Sequence, residues 1–528
     1  MKHLLSILLG IISTIAWSQD YYLIHLKPKN NTASYFNNPT SMLTQKALDR
    51  RLNRNINVDD KDVPIDASII QQIKNLNLTY VGSSKWLNNV MVAIDNEDVK
   101  NQVQNLSFVQ TVQPLFNDNF APRHNHNPSK FQEFNARLTN FDYGYSSSFI
   151  DQLNLSPIHQ AGYTAQNILI GVIDSGFPGV DFIDAFAALR NENRIIDSKN
   201  FVNSNSIYDM HSHGTVVLAT MAAKVNGSFV GSAPDANYAL YVSEDASQET
   251  PKELMYWIQA AERADSIGVD VINTSLGYTT FDDDRYDFTY DDMDGNTTLI
   301  SKGAKIAASR GIFLLNAMGN DGANDWHYVS APADVAEMFS IGAIDLNLNP
   351  AYFTSFGPNS ANKNKPNVSA LGVSTPTYSP NGNITYSNGT SLASPVLAGA
   401  VASLMSAAPT MPLDELKLLI ENAGHLYPVY DVQLGFGVPN FGVILEALKS
   451  NELEKNRFKI YPNPSSNYFK VDADLDIKNI QLLSLIGQVV KEVKDKDTLE
   501  VKNVAKGIYI LKIVFEDDSQ SHSKVIIK

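Results

Sequence analysis

The sequence contains no cysteine in 528 residues, so no disulfide can stabilise the fold. Exported proteins often use disulfides, mainly where a small core contributes little stability. A cysteine-free chain must rely on large hydrophobic cores, on bound ions or on both. The length is sufficient for such cores, because it predicts roughly three folded units.

An excess of basic residues is also lacking. The chain carries 41 Lys and Arg against 56 Asp and Glu, which gives a formal net charge of −15. A surface of this sign repels a phosphate backbone, so we predict no nucleic-acid partner. Hydrophobic residues make up 44% and charged residues 18%, which is typical of a globular chain.

Long hydrophobic runs are scarce. The main one, residues 4–15, follows Lys2 and is followed by small residues before Gln19. This pattern is typical of a secretory signal peptide over residues 1–18, and the run is too short to span a bilayer. We therefore predict export and no transmembrane segment.

Residues 19–115 combine strand and helix patterns. Two strand-like runs, Tyr21–Lys27 and Trp86–Ile94, occur among three helical patterns, which predicts a small α+β domain. Residues 116–148 begin with a stretch rich in Asn, His and Pro. They predict an exposed linker.

The remaining sequence predicts two further domains. Residues 149–450 alternate buried strand-like runs with helical segments, the pattern of a doubly wound, mostly parallel α/β sheet. Residues 458–528 return to short alternating strands, which predicts a small β-sandwich.

In a doubly wound sheet, ligands bind at the carboxyl ends of the strands. Asp174 closes one strand-like run, and Ser275 and Asn320 follow two later ones. We therefore expect these three polar residues at one edge of the sheet.

Ser391 opens a run of small apolar residues that predicts a buried helix. Gly389 permits a sharp turn before it, and Pro395 indicates that the helix begins close to Ser391. A serine at a helix N-terminus combines a hydroxyl nucleophile with an unpaired backbone N–H for an oxyanion. An ordinary N-cap serine explains the same pattern, so this stretch alone does not decide its role.

Amide hydrolysis by serine needs a base, a carboxylate that orients the base, and oxyanion donors. His213 opens a second small-residue helix pattern and is a candidate base, with Asp174 as the carboxylate and Asn320 as a donor. Each has an ordinary alternative: a core or capping histidine, a turn aspartate and a loop asparagine. His211 is a second candidate base, but Gly-Thr follows only His213.

Taken together, these segments resemble the signature blocks of the subtilisin-like serine peptidases. The blocks are IGVIDSG, HSHGTVVLA, INTSLG, NAMGND and NGTSLASP, in this order within residues 149–450. The order Asp174, His213, Ser391 is that of the subtilisin triad. The resemblance implies that these three residues are catalytic and that Asn320 and the Ser391 amide hold the oxyanion. A lipase is excluded, because Ser391 lies in Gly-Thr-Ser-Leu-Ala rather than in Gly-x-Ser-x-Gly.

The resemblance also implies a substrate cleft with two walls, one of which pairs with the substrate backbone. The residues expected to line them are Ser275, Leu276 and Gly277 on one side and Ala317, Met318 and Gly319 on the other. Three residues depart from the usual family pattern: Met318, Tyr278 and Leu371. None is a triad residue, but the first two leave the specificity pocket undefined.

Residues 281–296 form an acidic insert. Its aspartates are Asp282, Asp283, Asp284, Asp287, Asp291, Asp292 and Asp294. Hard oxygen ligands at this density could hold structural calcium, which members of the resembled family often bind. The stretch does not match an EF-hand loop, because Gly295 stands at the wrong position. We expect a solvated acidic loop, with calcium as the alternative and no cofactor required for the chemistry.

The flanking domains extend the resemblance. Residues 19–115 are similar to the inhibitory propeptide of the family, cut off between Leu115 and Phe149; a permanent N-terminal domain is the alternative. The motif Ile460-Tyr461-Pro462-Asn463-Pro464 and the strands after it resemble a sorting domain of the type IX secretion system of Gram-negative bacteria. A carbohydrate-binding or purely structural sandwich is the alternative there.

We therefore predict a secreted or surface-bound serine endopeptidase made as a zymogen. Its expected partners are protein or peptide substrates, its own propeptide and the type IX secretion machinery. The rival hypothesis is a catalytically inactive, surface-displayed binding protein on the same fold.

Overall fold

The computed structural model describes residues 20–30, 32–116, 141–453, 458–473, 475–485, 487–516 and 520–528. The predicted signal peptide, residues 1–18, and most of the predicted linker, residues 117–140, lie outside the described residues.

The N-terminal domain is an antiparallel sheet of four strands in the order β2-β3-β1-β4. Its strands are β1 (Asp20–Leu26), β2 (Thr79–Ser84), β3 (Asn89–Ile94) and β4 (Val109–Pro114), and its helices are α1 (Ala33–Asn37), α2 (Gln45–Asn53), α3 (Ala67–Lys74) and α4 (Glu97–Gln104), with a 3-10 turn at Pro39–Ser41. Alternate residues of β1 face opposite sides. Ile24 joins a core with α3 and α4, whereas Leu23 packs against the next domain.

The central domain is built on a sheet of seven parallel strands, in the order β13-β12-β11-β10-β5-β9-β6. Its strands, including two short ribbons, are β5 (Leu169–Asp174), β6 (Ile195–Asn200), β7 (Lys224–Val225), β8 (Phe229–Val230), β9 (Asn237–Val242), β10 (Val271–Thr274), β11 (Phe313–Ala317), β12 (Phe339–Ile344), β13 (Val368–Leu371), β14 (Thr375–Tyr378) and β15 (Ile384–Ser387). The strand order reverses between β5 and β10, which is where such sheets bind ligands. The predicted doubly wound fold is confirmed.

Helices cover both faces of this sheet. They are α5 (Ser147–Gln152), α6 (Ser156–Gln160), α7 (Ala187–Asn191), α8 (His213–Ala222), α9 (Lys252–Ile267), α10 (Leu299–Ser309), α11 (Thr390–Ala407), α12 (Leu413–Asn422) and α13 (Phe441–Leu453), with 3-10 turns at Asp184–Phe186, Ile207–Asp209, Asp284–Tyr286 and Tyr290–Asp292. Ile170 and Val172 of β5 share a core with α8 and α11, whereas Leu169 and Ile173 face α9 and α10. Burial on both faces explains the continuous apolar run of this strand.

One helix among the described residues, α11, is long and apolar enough to cross a membrane. Within the protein, 89% of its 18-residue window is buried. It therefore serves as the central core helix of this domain.

The C-terminal domain consists of two sheets, in the orders β16-β17-β20 and β19-β18-β21-β22. The strands are β16 (Phe458–Tyr461), β17 (Tyr468–Ala473), β18 (Ile477–Leu483), β19 (Val489–Lys494), β20 (Thr498–Glu500), β21 (Gly507–Phe515) and β22 (Gln520–Ile527). Phe469 from one sheet and Leu482 from the other share one core, as in the predicted sandwich. The domain rests on α12 and α13, and the hydroxyl of Tyr427, between these two helices, donates to the Lys506 carbonyl at 3.0 Å.

Candidate active site

A carboxylate and an imidazole meet at the carboxyl end of the sheet. Asp174, the last residue of β5, is fully buried, and its Oδ1 lies 2.8 Å from Nδ1 of His213, the first residue of α8. The backbone and hydroxyl of Ser175 also donate to Oδ1, at 2.7 and 3.2 Å. Gly214 is required for this approach, because a Cβ there would lie 2.4 Å from the Gly176 carbonyl oxygen.

His211, the other candidate base, has a different position. Its Nδ1 accepts from the backbone N–H of His213 at 3.3 Å and lies 3.2 Å from the Ser175 hydroxyl. It therefore supports the start of α8, and only His213 contacts Asp174.

The environment of His213 favours its protonated form. Burial lowers its pKa, but the charge and hydrogen bond of Asp174, together with the charge of Glu244, outweigh burial, so the pKa lies above the ordinary 6.5. Glu244 is itself buried beside the pair, and burial followed by the charge of Asp174 raises its pKa to about 7. The ring nitrogens of His213 therefore titrate close to a second ionising group.

Ser391 lies at the N-terminus of α11, the helix that packs against α8. Gly389 caps this helix with a φ of 148°, and Ser391 is the second helical residue. Its backbone N–H falls among the first four of the helix, which have no partner within it. Within the described part of the chain, the Ser391 hydroxyl makes no hydrogen bond, so it is available to a base.

The helix begins at Thr390, close to Ser391 as predicted, although Pro395 lies inside α11 beyond its first turn. A proline inside a helix leaves the carbonyl four residues earlier without its N–H donor. That carbonyl belongs to Ser391, and the hydroxyl of Ser275 donates to it at 2.9 Å. Ser275 is held by Asn273, whose amide donates to its hydroxyl at 3.1 Å. A side chain that lies just beyond β10 thus replaces the missing backbone donor.

Asn320 is exposed beyond the end of β11, and its orientation is fixed by Thr390. The backbone N–H and the hydroxyl of Thr390 both donate to Asn320 Oδ1, at 2.9 and 3.0 Å. Because two donors occupy the amide oxygen, Nδ2 is directed elsewhere.

Three atoms with matching chemistry surround one small space. A Cβ placed on Gly389 would lie 2.7 Å from Ser391 Oγ, 3.5 Å from Ser391 N and 3.7 Å from Asn320 Nδ2. The missing side chain of Gly389 therefore leaves room for an atom beside one nucleophile and two N–H donors. A hydroxyl nucleophile and two N–H donors of the kind that bind a developing oxyanion are thus grouped around Gly389.

The predicted substrate segments border this site, but several of their side chains are unavailable to a ligand. Met318 is fully buried and packs in the core with α9 and α10, and Ala317 is 4% exposed. The Leu276 carbonyl accepts from the Asn316 amide at 3.0 Å, while Gly277 is exposed and Gly319 half-buried. Access to these segments is therefore mainly through their backbone.

The acidic insert is not a uniformly solvated loop. Its aromatic residues Phe281 and Tyr286 are buried, and several of its carboxylates accept backbone N–H groups. Asp287 accepts from Phe281 at 2.7 Å, and Asp294 accepts from two residues that follow it. Across the described ranges, no group of three or more His, Cys, Asp or Glu is placed to hold a metal ion. These residues do not fit a preformed calcium site of that kind, and structural calcium stays a prediction.

Sequence reasoning did not identify the residues that hold the reactive groups in place. They are Thr390, Asn273 and Ser394; Glu244, whose charge raises the pKa of His213, was also not identified. Ser394 donates to Asn273 at 2.8 Å and so joins α11 to β10. Thr390 lies between Gly389 and Ser391, so its place next to the nucleophile could have indicated a supporting role. Asn273 lies in the INTSLG block and Ser394 in the NGTSLASP block, whereas Glu244 lies outside all five blocks.

An Asp-His pair and a helix-terminal serine on a doubly wound parallel sheet define a class, the serine hydrolases. Comparison with known proteins identifies the family within this class. The model described as the subtilase family, peptidase S8, matches residues 165–441. The chain belongs to the subtilase family.

Individual relatives agree with this assignment. Subtilisin DY from Bacillus licheniformis is 31% identical over 272 residues, which are 51% of this chain and 87% of that protein. Subtilisin E from Bacillus subtilis is 32% identical over 263 residues, 49% of this chain and 61% of its own length. The crystal structure of an epidermin leader peptide processing serine protease from Staphylococcus aureus is 18% identical, with a TM-score of 0.53, and the match covers 82% of this chain and 99% of that one. The last similarity concerns the fold alone.

The flanking domains also match known families. Residues 21–133 match the peptidase S8 propeptide domain of Bacteroidota, so this enzyme is made as a zymogen. Residues 459–528 match the secretion system C-terminal sorting domain, which indicates export to the cell surface or beyond. The predicted resemblances at both ends are confirmed.

Proposed function

We propose that the protein is an exported endopeptidase that hydrolyses peptide bonds of proteins through an acyl-enzyme formed on Ser391. The observation that carries this proposal is the convergence of Ser391 Oγ, Ser391 N and Asn320 Nδ2 on the space beside Gly389. The Asp174–His213 pair supplies the base on the adjacent helix.

In the first step, Ser391 Oγ attacks the carbonyl carbon of the scissile bond, and His213 Nε2 takes the hydroxyl proton. Asp174 accepts the hydrogen bond from Nδ1 and stabilises the charged ring that forms. The Ser391 N–H and the Asn320 amide donate to the oxyanion. His213 then gives its proton to the leaving amine, and the acyl group stays on Ser391.

In the second step, His213 takes a proton from a water molecule, whose oxygen attacks the acyl carbon. The bond to Ser391 Oγ then breaks, His213 returns the proton to that oxygen, and the carboxylic acid product is released. The backbone of Ser275–Gly277 and of Ala317–Gly319 would hold the substrate as an added strand. All groups in these two steps belong to the chain or are water, so the proposed chemistry needs no cofactor.

For export we propose signal-peptide cleavage before Gln19, followed by passage through the type IX system of a Gram-negative cell. The matched C-terminal sorting domain supports this route. The N-terminal domain would leave after a cut between Leu115 and Phe149.

A serine-directed fluorophosphonate tests the proposal against the rival of an inactive binding protein. We expect the processed protein to digest casein and to carry the label on Ser391, as mapped by mass spectrometry. Ser391→Ala should take no label. Ser406→Ala, which loses only a local hydrogen bond in the same helix, should behave like the parent. Labelling of both Ser391→Ala and the parent, or of neither, would favour the binding protein.

Replacing Asn320 should slow the chemical step without weakening substrate binding to a similar degree. Loss of one oxyanion donor lowers kcat by about 10²–10³ in subtilisin, a relative of this chain. We expect this for Asn320→Ala and for Asn320→Asp, which keeps the acceptor for Thr390 but lacks the N–H donor. Steady-state kinetics should show the loss in kcat, and Asn324→Ala in the same loop should retain activity. Full activity of Asn320→Asp would contradict the role.

The pH profile should report the raised pKa of His213. The base must be neutral to accept a proton, so kcat/KM should rise with pH through a value above 6.5. Glu244 raises this pKa and itself titrates nearby. The rising limb of the pH profile therefore reports His213 and Glu244 together. In Glu244→Gln the charge is gone, and the limb should move to lower pH. An unchanged or higher limb in this variant would rule out the coupling.

A further inference from the structure

The acidic insert contacts the N-terminal domain through a short segment, Phe281–Tyr286, which we call the insert clamp. Phe281 is 8% and Tyr286 4% exposed. The clamp follows the predicted substrate segment directly, and the ring of Phe281 stacks on that of Tyr278 with 6.5 Å between centroids. The clamp is therefore packed against Tyr278, the residue that follows the predicted substrate segment.

Polar contacts join the clamp to the beginning of β1. Arg285 Nη1 donates to Asp20 Oδ1 at 2.8 Å, while its Nη2 donates to Asp283 Oδ2 at 2.7 Å. The Tyr286 hydroxyl accepts from the backbone N–H of Tyr21 at 3.0 Å. One arginine therefore bridges a carboxylate of each domain.

Aromatic contacts join the same clamp to the other end of the N-terminal domain. The ring of Phe116, just beyond β4, lies 5.3 Å from the guanidinium carbon of Arg285 and 6.2 Å from the ring of Tyr286. The Tyr21 ring is 5.6 Å from that of Tyr286. Because β1 and β4 are antiparallel neighbours, the start of β1 and the end of β4 lie side by side, and the clamp contacts both.

We propose that the insert clamp is a recognition surface for this N-terminal domain and that it slows the departure of the domain after cleavage. It recognises a carboxylate followed by an aromatic residue at the start of β1, together with an aromatic residue after β4. An N-terminal domain without this pattern would offer Arg285 no carboxylate at β1. The central domain would therefore bind it less tightly. Release of the N-terminal domain presupposes the proposed function, in which this domain is cut off. The contacts do not depend on that function.

Hydrogen exchange in the full chain tests the clamp without any need for activity. With Ser391→Ala in all samples, which prevents self-cleavage by Ser391, we compare amide exchange in β1 with and without Arg285→Ala. The Arg285–Asp20 side chains are about one-third exposed, so exchange at Tyr21–Leu23 should rise about twofold to fivefold. The difference should shrink in 1 M NaCl, where charges are screened.

Two further variants make the result specific. Exchanging the charges, Arg285→Asp with Asp20→Arg, should restore part of the protection. Tyr286→Phe keeps the ring but removes the acceptor, so the Tyr21 amide should exchange faster while α3 is unaffected. Arg263→Ala, whose partner Asp197 lies within the central domain, serves as the matched control and should match the parent.

The active chain provides the second readout. With Ser391 restored, the lag before peptidase activity appears should shorten in Arg285→Ala by a similar factor. Unchanged exchange in β1 of Arg285→Ala would overturn the proposal, as would equally raised exchange throughout the central sheet. An active-site failure would instead abolish activity in every sample and leave the exchange pattern intact, so the two failures are distinguishable.

Discussion

Replacing Ser391 with alanine is expected to lower kcat by about 10⁶, the loss measured when a triad serine is removed from subtilisin, a relative of this chain. The physical reason is that the Ser391 hydroxyl lies beside a free helix N–H and the Asn320 amide, whereas the neighbouring Thr390 hydroxyl already donates to Asn320 Oδ1. The residual rate should come from the oxyanion donors and from substrate binding alone. Initial rates with a chromogenic peptide, over several substrate concentrations, measure the loss.

The fold of this variant should be preserved, because the Ser391 hydroxyl makes no hydrogen bond within the described part of the chain. A thermal unfolding curve close to that of the parent is therefore the control. Ser394→Ala is a useful contrast, because it breaks the buried bond to Asn273 and should lower stability while leaving a nucleophile. A Ser391→Ala enzyme within tenfold of the parent would refute the nucleophile assignment.

Much of this site was predictable because its signals are local. Asp174 closes an apolar strand, and His213 and Ser391 are the first and second residues of helices rich in small residues, each with a glycine within two positions. Strand ends of a parallel sheet share one edge, so the sequence alone places Asp174, Ser275 and Asn320 together. The structure adds the 2.8 Å contact between Asp174 and His213.

The support of the site was not predictable, because its partners are far apart in sequence. Ser275 donates to a carbonyl 116 residues later, and nothing local to Pro395 indicates where that donor comes from. The N-terminal sheet shows a similar limit. Its edge strand β4 is half polar and short, so its pattern is weak, and only pairing with β1 defines it.

The largest structural effect is expected where the N-terminal domain meets α9. Arg50 and Arg51 of α2 both bind Asp265 of α9, with Arg51 Nη2 at 2.7 Å from Asp265 Oδ2. Asp62, in the N-terminal domain, completes the cluster at 2.7 Å from Arg51. These side chains are at most 2% exposed. Charges so deeply buried are tolerated only while they are paired.

Removing Asp265 should therefore weaken the hold of the N-terminal domain strongly. Asp265→Ala leaves Arg50 without its carboxylate inside the interface, and an unpaired buried charge costs about 3–5 kcal/mol. At 1.4 kcal/mol per tenfold, this raises the Kd of the cleaved domain at least about 10²-fold. The same domain, once free, exposes its arginines to water, so the penalty falls on the complex.

Self-processed enzyme provides the measurement, since both parts come from one full chain. We expect the cut N-terminal domain to co-elute with the parent enzyme in size-exclusion chromatography and to separate from Asp265→Ala at the same concentration. Arg263→Ala, on the same helix but in a half-exposed pair with Asp197, should retain its domain because such pairs contribute at most about 1 kcal/mol. Retention in Asp265→Ala equal to that of the parent would show that apolar contacts around Leu23 and Trp86 hold the domain without the charge cluster.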